Sequence, residues 1–199
     1  MNAGATSERV YAGLKAQLLA NGFPPGARLD PMALAQDLSS SVTPVRDALH
    51  LLTGERLVDT RSGDGFHLPH ITGPGLEDLY AWSADTLLAS LRHRAPVRDN
   101  ATRSFSADTS IAQRTAEIFA AIATGSVNSE HGWAVVSIGD RLHAARVVEP
   151  NVIDDADREL AEIEAMIDDV ASLRKAITRY HRRRRRVAFD IVRALYRGG

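Results

Sequence analysis

The chain has 199 residues, 44% of them hydrophobic and 25% charged, the composition of a folded globular protein with room for one large domain or two small ones. It contains no cysteine, which excludes disulfides, thiolate metal sites and cysteine nucleophiles and leaves only His and carboxylates as ligands for any metal. The formal net charge of -1 is silent about nucleic acid, because a binding footprint depends on where charges sit, and residues 1–75 carry six basic against seven acidic side chains.

Val10, Leu14 and Leu18 recur every four positions, which predicts an amphipathic helix ending near Asn21-Gly22. Pro24-Pro25-Gly26 forces a turn. Asp30-Pro31 then reads as an N-cap and first-turn pair for a short second helix with Leu34, Ala35 and Leu38 on one face. Ser39-Ser40-Ser41 breaks it. Thr43-Pro44 repeats the capping signal, and Val45, Ala48, Leu49 and Leu52 form the inner face of a third helix expected to stop at Gly54. Leu57 to Arg61 and Phe66 to Leu68 are β-prone runs around Ser62-Gly63-Asp64-Gly65, the pattern of a hairpin. Three helices and a hairpin within about 70 residues are the winged helix-turn-helix order, whose third helix enters the major groove.

Gly73-Pro74-Gly75 reads as a linker, which sets domains at 1–72 and 76–199. Beyond it the pattern is helical throughout. Leu76 to Leu91 predicts one helix, Ile111 to Ile122 a second, and Trp133 to Val148 a third that meets Pro150. Asp155 to about Val170 and Ser172 to about Tyr196 follow, and Val97 to Ala107 reads as a polar loop. The expected fold is therefore mainly α: a winged helix-turn-helix followed by an all-α bundle. No stretch of about 18 apolar residues could span a bilayer, and Met1 to Lys15 lacks the apolar core of a secretory signal, so the expected location is the cytoplasm with no membrane partner.

The segments Glu8-Arg9-Val10-Tyr11, Pro24-Pro25-Gly26-Ala27-Arg28-Leu29, Leu34-Ala35, Thr43-Pro44-Val45-Arg46-Asp47-Ala48-Leu49 and Gly54-Glu55-Arg56-Leu57-Val58, followed by the Gly63/Gly65 wing, closely resemble the N-terminal domain of the GntR superfamily of bacterial transcription factors. The helical remainder resembles, more weakly, the FadR-type (FCD) effector domain in shortened form. The resemblance implies a sequence-specific regulator, a repressor, acting as a homodimer on double-stranded DNA, with a small organic acid as an optional effector and no cofactor. It places Arg28, Ser41, Val42, Thr43, Arg46, His50, Gly63 and Gly65 at the DNA. The helical wheel independently turns Thr43, Arg46, Asp47 and His50 outward, where Arg46 is free to meet a guanine edge or a phosphate. The chain departs from the family where Val42 and Met32 stand in place of arginines. A winged helix that has become a protein-interaction module without specific DNA binding therefore stays open as the alternative.

The FCD pattern also implies a metal held by an Asp, a His four residues later, a later His and a final His. Here His143 and His181 match two positions, Asp140 is one residue out of register behind Gly139, and no final His follows in the last helix. Two imidazoles do not make a site. The expectation is no metal, with His143, His181 and Asp140 as weak candidates. The run Arg182 to Arg186 spreads over more than one helical turn and follows an acidic helix, which predicts charge compensation over a nucleic-acid patch. No nucleophile elbow, phosphate loop or calcium loop is present, so an enzyme is not expected.

Overall fold

The computed structural model describes residues 3–20, 23–61, 63–95 and 109–197. The predicted boundary at Asn21-Gly22, Ser62 of the wing turn and the predicted loop from Val97 to Ala107 lie outside the described residues. The chain divides into two compact units, residues 1–71 and 72–198.

In the first unit, α1 (Ala3–Leu19), α2 (Pro31–Asp37) and α3 (Val42–Gly54) surround a small sheet of β1 (Arg28–Leu29), β2 (Asp59–Arg61) and β3 (Gly65–His67). The strand order is β1-β3-β2, all antiparallel, with Leu29 opposite Phe66 and Thr60 opposite Phe66 on the other edge. The hairpin was expected; the third strand was not, because two residues after Pro-Pro-Gly carry no strand signal of their own. Val10, Leu14 and Leu18 bury against Val45, Leu49 and Leu52, with Leu29, Leu34 and Phe66 closing the core. Each such side chain stabilises by about 1.5–3 kcal/mol at most. Glu55 fastens α3 to α1 by accepting from Tyr11 Oη and by pairing with Lys15 at 2.8 Å.

Local signals acted where predicted, with shifts of one or two residues. Asp30 caps α2 by accepting from Met32 N at 2.9 Å, with Pro31 in the first turn. The N-cap of α3 is Ser41 rather than Thr43, so Pro44 sits inside the first turn, where its missing N–H is one of the unbonded donors anyway. Helix α3 runs through Gly54 and leaves by Arg56, which adopts φ +60°, a conformation usually given to glycine.

The second unit is a bundle of α4 (Gly73–Arg92), α5 (Ile111–Thr124), α6 (Glu130–Val148), α7 (Ala156–Ala165), α8 (Val170–Arg186) and α9 (Ala188–Arg197), with a 3₁₀ turn over Glu149–Asn151. Helix α4 lies against α5, α6, α8 and α9. Leu87, Leu91, Ile118, Phe119, Ile122, Leu160, Ile163, Leu173, Ile177 and Tyr180 form the core.

The Gly-Pro-Gly segment is not a linker. It is the first turn of α4, capped by the Thr72 hydroxyl on Gly75 N, and Gly73 is buried because a Cβ there would meet the Phe189 ring at 2.6 Å. The last predicted helix is two. The chain bends at Val187 without Gly or Pro, and α9 folds Ala188, Ile191 and Leu195 inward against α4 and α6. Among the described residues no helix is long and apolar enough to cross a membrane.

Candidate nucleic-acid interface

Helices α2 and α3 are joined by a turn in which Ser39 takes φ +47° and Ser40 N bonds back to Ala35 O at 2.9 Å. The buried side of α3 consists of Val45, Ala48, Leu49 and Leu52. Its other side presents Thr43, Arg46, Asp47 and His50 to solvent, together with Ser41 at the cap. Val42 departs from this set. It is half-buried against the core of the unit, so its aliphatic chain serves packing as much as surface.

The wing is coupled to this helix through an aromatic contact: the exposed His50 ring meets Phe66 of β3 edge-on, with centroids 4.9 Å apart. Gly63 and Gly65 hold φ +77° and +80° with open space around them, which gives a tight turn whose backbone any large partner can approach. His67 is buried behind it, with Nε2 3.2 Å from Asp64. Arg28 is exposed on β1, directly opposite His67 in the register. Arg61 is also exposed, at the end of β2 beside the wing turn, and sequence reasoning passed over it as a strand terminus. An arginine adjoining the glycine turn was the available signal.

Exposed cations on a helix and a wing that share one core can meet phosphates and base edges, and Arg46 carries the planar fork that matches both guanine and phosphate. Asp47 and Asp64 beside them leave the surface without a strong basic field.

The residues suggested for a metal lie in the second unit. Asp140 and His143 are half-buried on α6. His181, on α8, is 1% exposed; its Nδ1–H donates to Ile177 O at 2.8 Å and its Nε2 accepts from Ser83 Oγ at 3.0 Å. Both ring nitrogens are thus engaged. Burial pushes this imidazole down to about 3, so it is neutral near pH 7. Among the described residues no group of three or more His, Asp or Glu converges as a metal cluster would.

The arginine run is distributed as a helix demands. Arg183 pairs with Asp155, and Arg179 with Glu162 at 3.0 Å, while Arg184 is fully buried between Glu149 at 2.8 Å and Glu159. Tyr80 Oη donates to Glu149 at 2.6 Å from the other side, and burial followed by that carboxylate raises the phenol well above its ordinary value. Arg182, Arg185 and Arg186 face outward.

Residues 6–68 match the family model of bacterial regulatory proteins, gntR family. No curated protein matches the chain. Among solved structures, E. coli McbR/YncC is 18% identical with a TM-score of 0.66, covering 96% of this chain and 99% of its own. A Rhodococcus sp. RHA1 protein described as a GntR transcriptional regulator is 20% identical with a TM-score of 0.70, covering 94% and 98%. The segment that matches the gntR model lies within the first unit, which has the winged helix-turn-helix fold, and the order of winged helix followed by helical bundle is shared with both structures along nearly the whole chain.

Proposed function

We propose that this chain is a sequence-specific DNA-binding regulator of transcription that represses as a homodimer and responds to a small organic acid. One observation carries the reading: within the segment matching the GntR model, α3 buries one side completely and turns Thr43, Arg46 and His50 outward beside the glycine wing. That is the surface a major groove requires. Arg46 reads a base edge, Arg28 and Arg61 hold phosphates, and the wing backbone at Gly63 and Gly65 approaches the flanking strand.

Dimerisation follows from DNA symmetry and from α6. Two recognition helices related by a two-fold axis read half-sites about one turn apart. Helix α6 buries Val135, Ile138, Leu142 and Ala145 within its own bundle yet leaves Trp133 75%, Val136 46% and Val147 38% exposed on the opposite side. An apolar outer face on a helix already packed is the kind of surface that a second copy covers.

Selection of bound duplexes from a random pool tests the proposal. It is expected to return a near-palindromic site whose affinity falls steeply with salt. Recovery of no enriched sequence would favour the other reading, a protein-interaction module, which the balanced charge of residues 1–75 and the apolar Met32 and Val42 support.

A further inference from the structure

The outer side of α8 gathers cations that the ion pairs of the bundle leave unused. Arg174, Lys175, Arg179, Arg182, Arg185 and Arg186 are all exposed. At 3.6 residues per turn they fall within about 140° of arc, opposite the buried side that carries Leu173, Ile177, Tyr180 and Arg184. Among the described residues, Arg179 alone of the six has a carboxylate in an ion pair, Glu162 at 3.0 Å, and exposed pairs of this kind are weak. Asp169, the N-cap of α8, has its carboxyl held below the usual range first by hydrogen bonds from Ser172 and only last by the charge of Lys175. Arg183 and Arg184 are the members of the run that the bundle consumes, through Asp155, Glu149 and Glu159. Where α8 meets α4, Arg174, Lys175, Arg179 and Arg182 line an open groove of about 420 Å³ with Leu88 and Thr178.

Lys175 and Arg179, Arg179 and Arg182, and Arg182 and Arg186 stand three or four residues apart, spacings at which like charges repel on a helix. An anionic partner relieves that repulsion. The six cations extend over about 18 Å of helix axis, roughly one every 3–4 Å, and each strand of duplex DNA carries a phosphate about every 3.4 Å of its axis. Five of the six are arginines, whose planar donors grip phosphate oxygens in pairs. A protein partner is less well served, because protein interfaces centre on apolar and aromatic anchors, and the groove offers a single aliphatic side chain, the half-buried Leu88. Residues 1–75, with six basic and seven acidic side chains, have no field of their own to draw a polyanion. We propose that the outer side of α8 binds the phosphate backbone of double-stranded DNA without regard to sequence, as a second nucleic-acid surface carried by the helical unit. It extends the DNA-binding reading above and does not need Arg46 to read a base.

The test is anisotropy titration of the full chain, over a series of salt concentrations, with a labelled duplex of about 20 base pairs and arbitrary sequence. The variant Arg174→Gln/Lys175→Gln/Arg182→Gln is expected to bind at least about tenfold more weakly at about 50 mM salt, with a slope of log affinity against log salt shallower by about 2–3. Arg174→Lys/Arg182→Lys keeps the charge and is expected to keep the slope. So is the charge-matched control Arg158→Gln/Arg193→Gln/Arg197→Gln, which neutralises exposed arginines of α7 and α9. Unchanged binding in the α8 Gln variant, an equal loss in the control, or a lost slope in the Lys variant would each overturn the surface. Polyglutamate held through α8 as tightly as the duplex would assign the face to acidic proteins, and a Gln variant that sediments as a monomer where wild type is a dimer would assign it to a second copy; either overturns the proposal. Duplex binding that depends on α8 while selection enriches no sequence leaves this surface standing and removes the operator reading. An operator bound through Arg46 with a salt slope indifferent to α8 does the reverse.

Discussion

Arg46 can point outward because its neighbours cannot: Val45, Ala48, Leu49 and Leu52 commit the rest of α3 to the core. Removing its side chain beyond Cβ should leave the fold intact and weaken binding to the selected operator by about 1–3 kcal/mol, roughly fivefold to 150-fold, as measured by titration at fixed salt. Unchanged affinity would show that Arg46 does not touch DNA. Glycine positions make a contrasting pair. Gly26 has φ +81°, and a Cβ there would lie 2.3 Å from the His70 ring, whereas Gly63 has φ +77° and open space. Gly63→Ala should cost about 1 kcal/mol of backbone strain, and Gly26→Ala clearly more, in denaturant unfolding. Equal costs would mean that the ring moves aside freely.

At the scale of the element, α8 shows how one helix serves several purposes. Its buried side carries Leu173, Ala176, Ile177, Tyr180, His181 and Arg184, so two side chains that usually seek water are placed in the core and satisfied there. For His181 the consequence is a pH dependence of definite sign. Its folded value, about 3, lies below the ordinary 6.5, so between those limits the unfolded chain binds the extra proton and stability falls as pH falls. The slope contributed is up to about 1.4 kcal/mol per pH unit. His181→Gln should flatten stability against pH between about 6 and 4 relative to wild type. Parallel curves would show that His181 is protonated within the fold.

At the scale of the whole molecule, the proposed dimer is the property that links the DNA surface to the bundle. Trp133 is the most exposed large apolar side chain on α6, and Trp133→Glu places a charge within the face proposed for the second copy. Sedimentation at micromolar concentration should show wild type as a dimer and this variant as a monomer, with operator affinity reduced by at least about tenfold through loss of simultaneous half-site engagement. A wild-type monomer, or a variant that remains dimeric, would move the interface away from α6.

By itself the sequence determined whatever depends on neighbours along the chain. The four-residue rhythm of Val10, Leu14 and Leu18, the Asp30-Pro31 cap and the paired wing glycines are local, and they specify the helices, the hairpin and the outward direction of Arg46. Contacts made by residues far apart were decided only in the tertiary structure. β1 exists because β3, almost forty residues later, supplies its partners. Gly73 begins a helix rather than a linker because Phe189 packs on it, and the run Arg182–Arg186 divides into an interior ion pair and an outer face because α7 and the turn at Glu149 reach only one side. Nothing in the neighbours of Arg146 distinguishes it from a solvated arginine; Phe119 and the surrounding helices, which pack against it from distant positions, are what remove it from water.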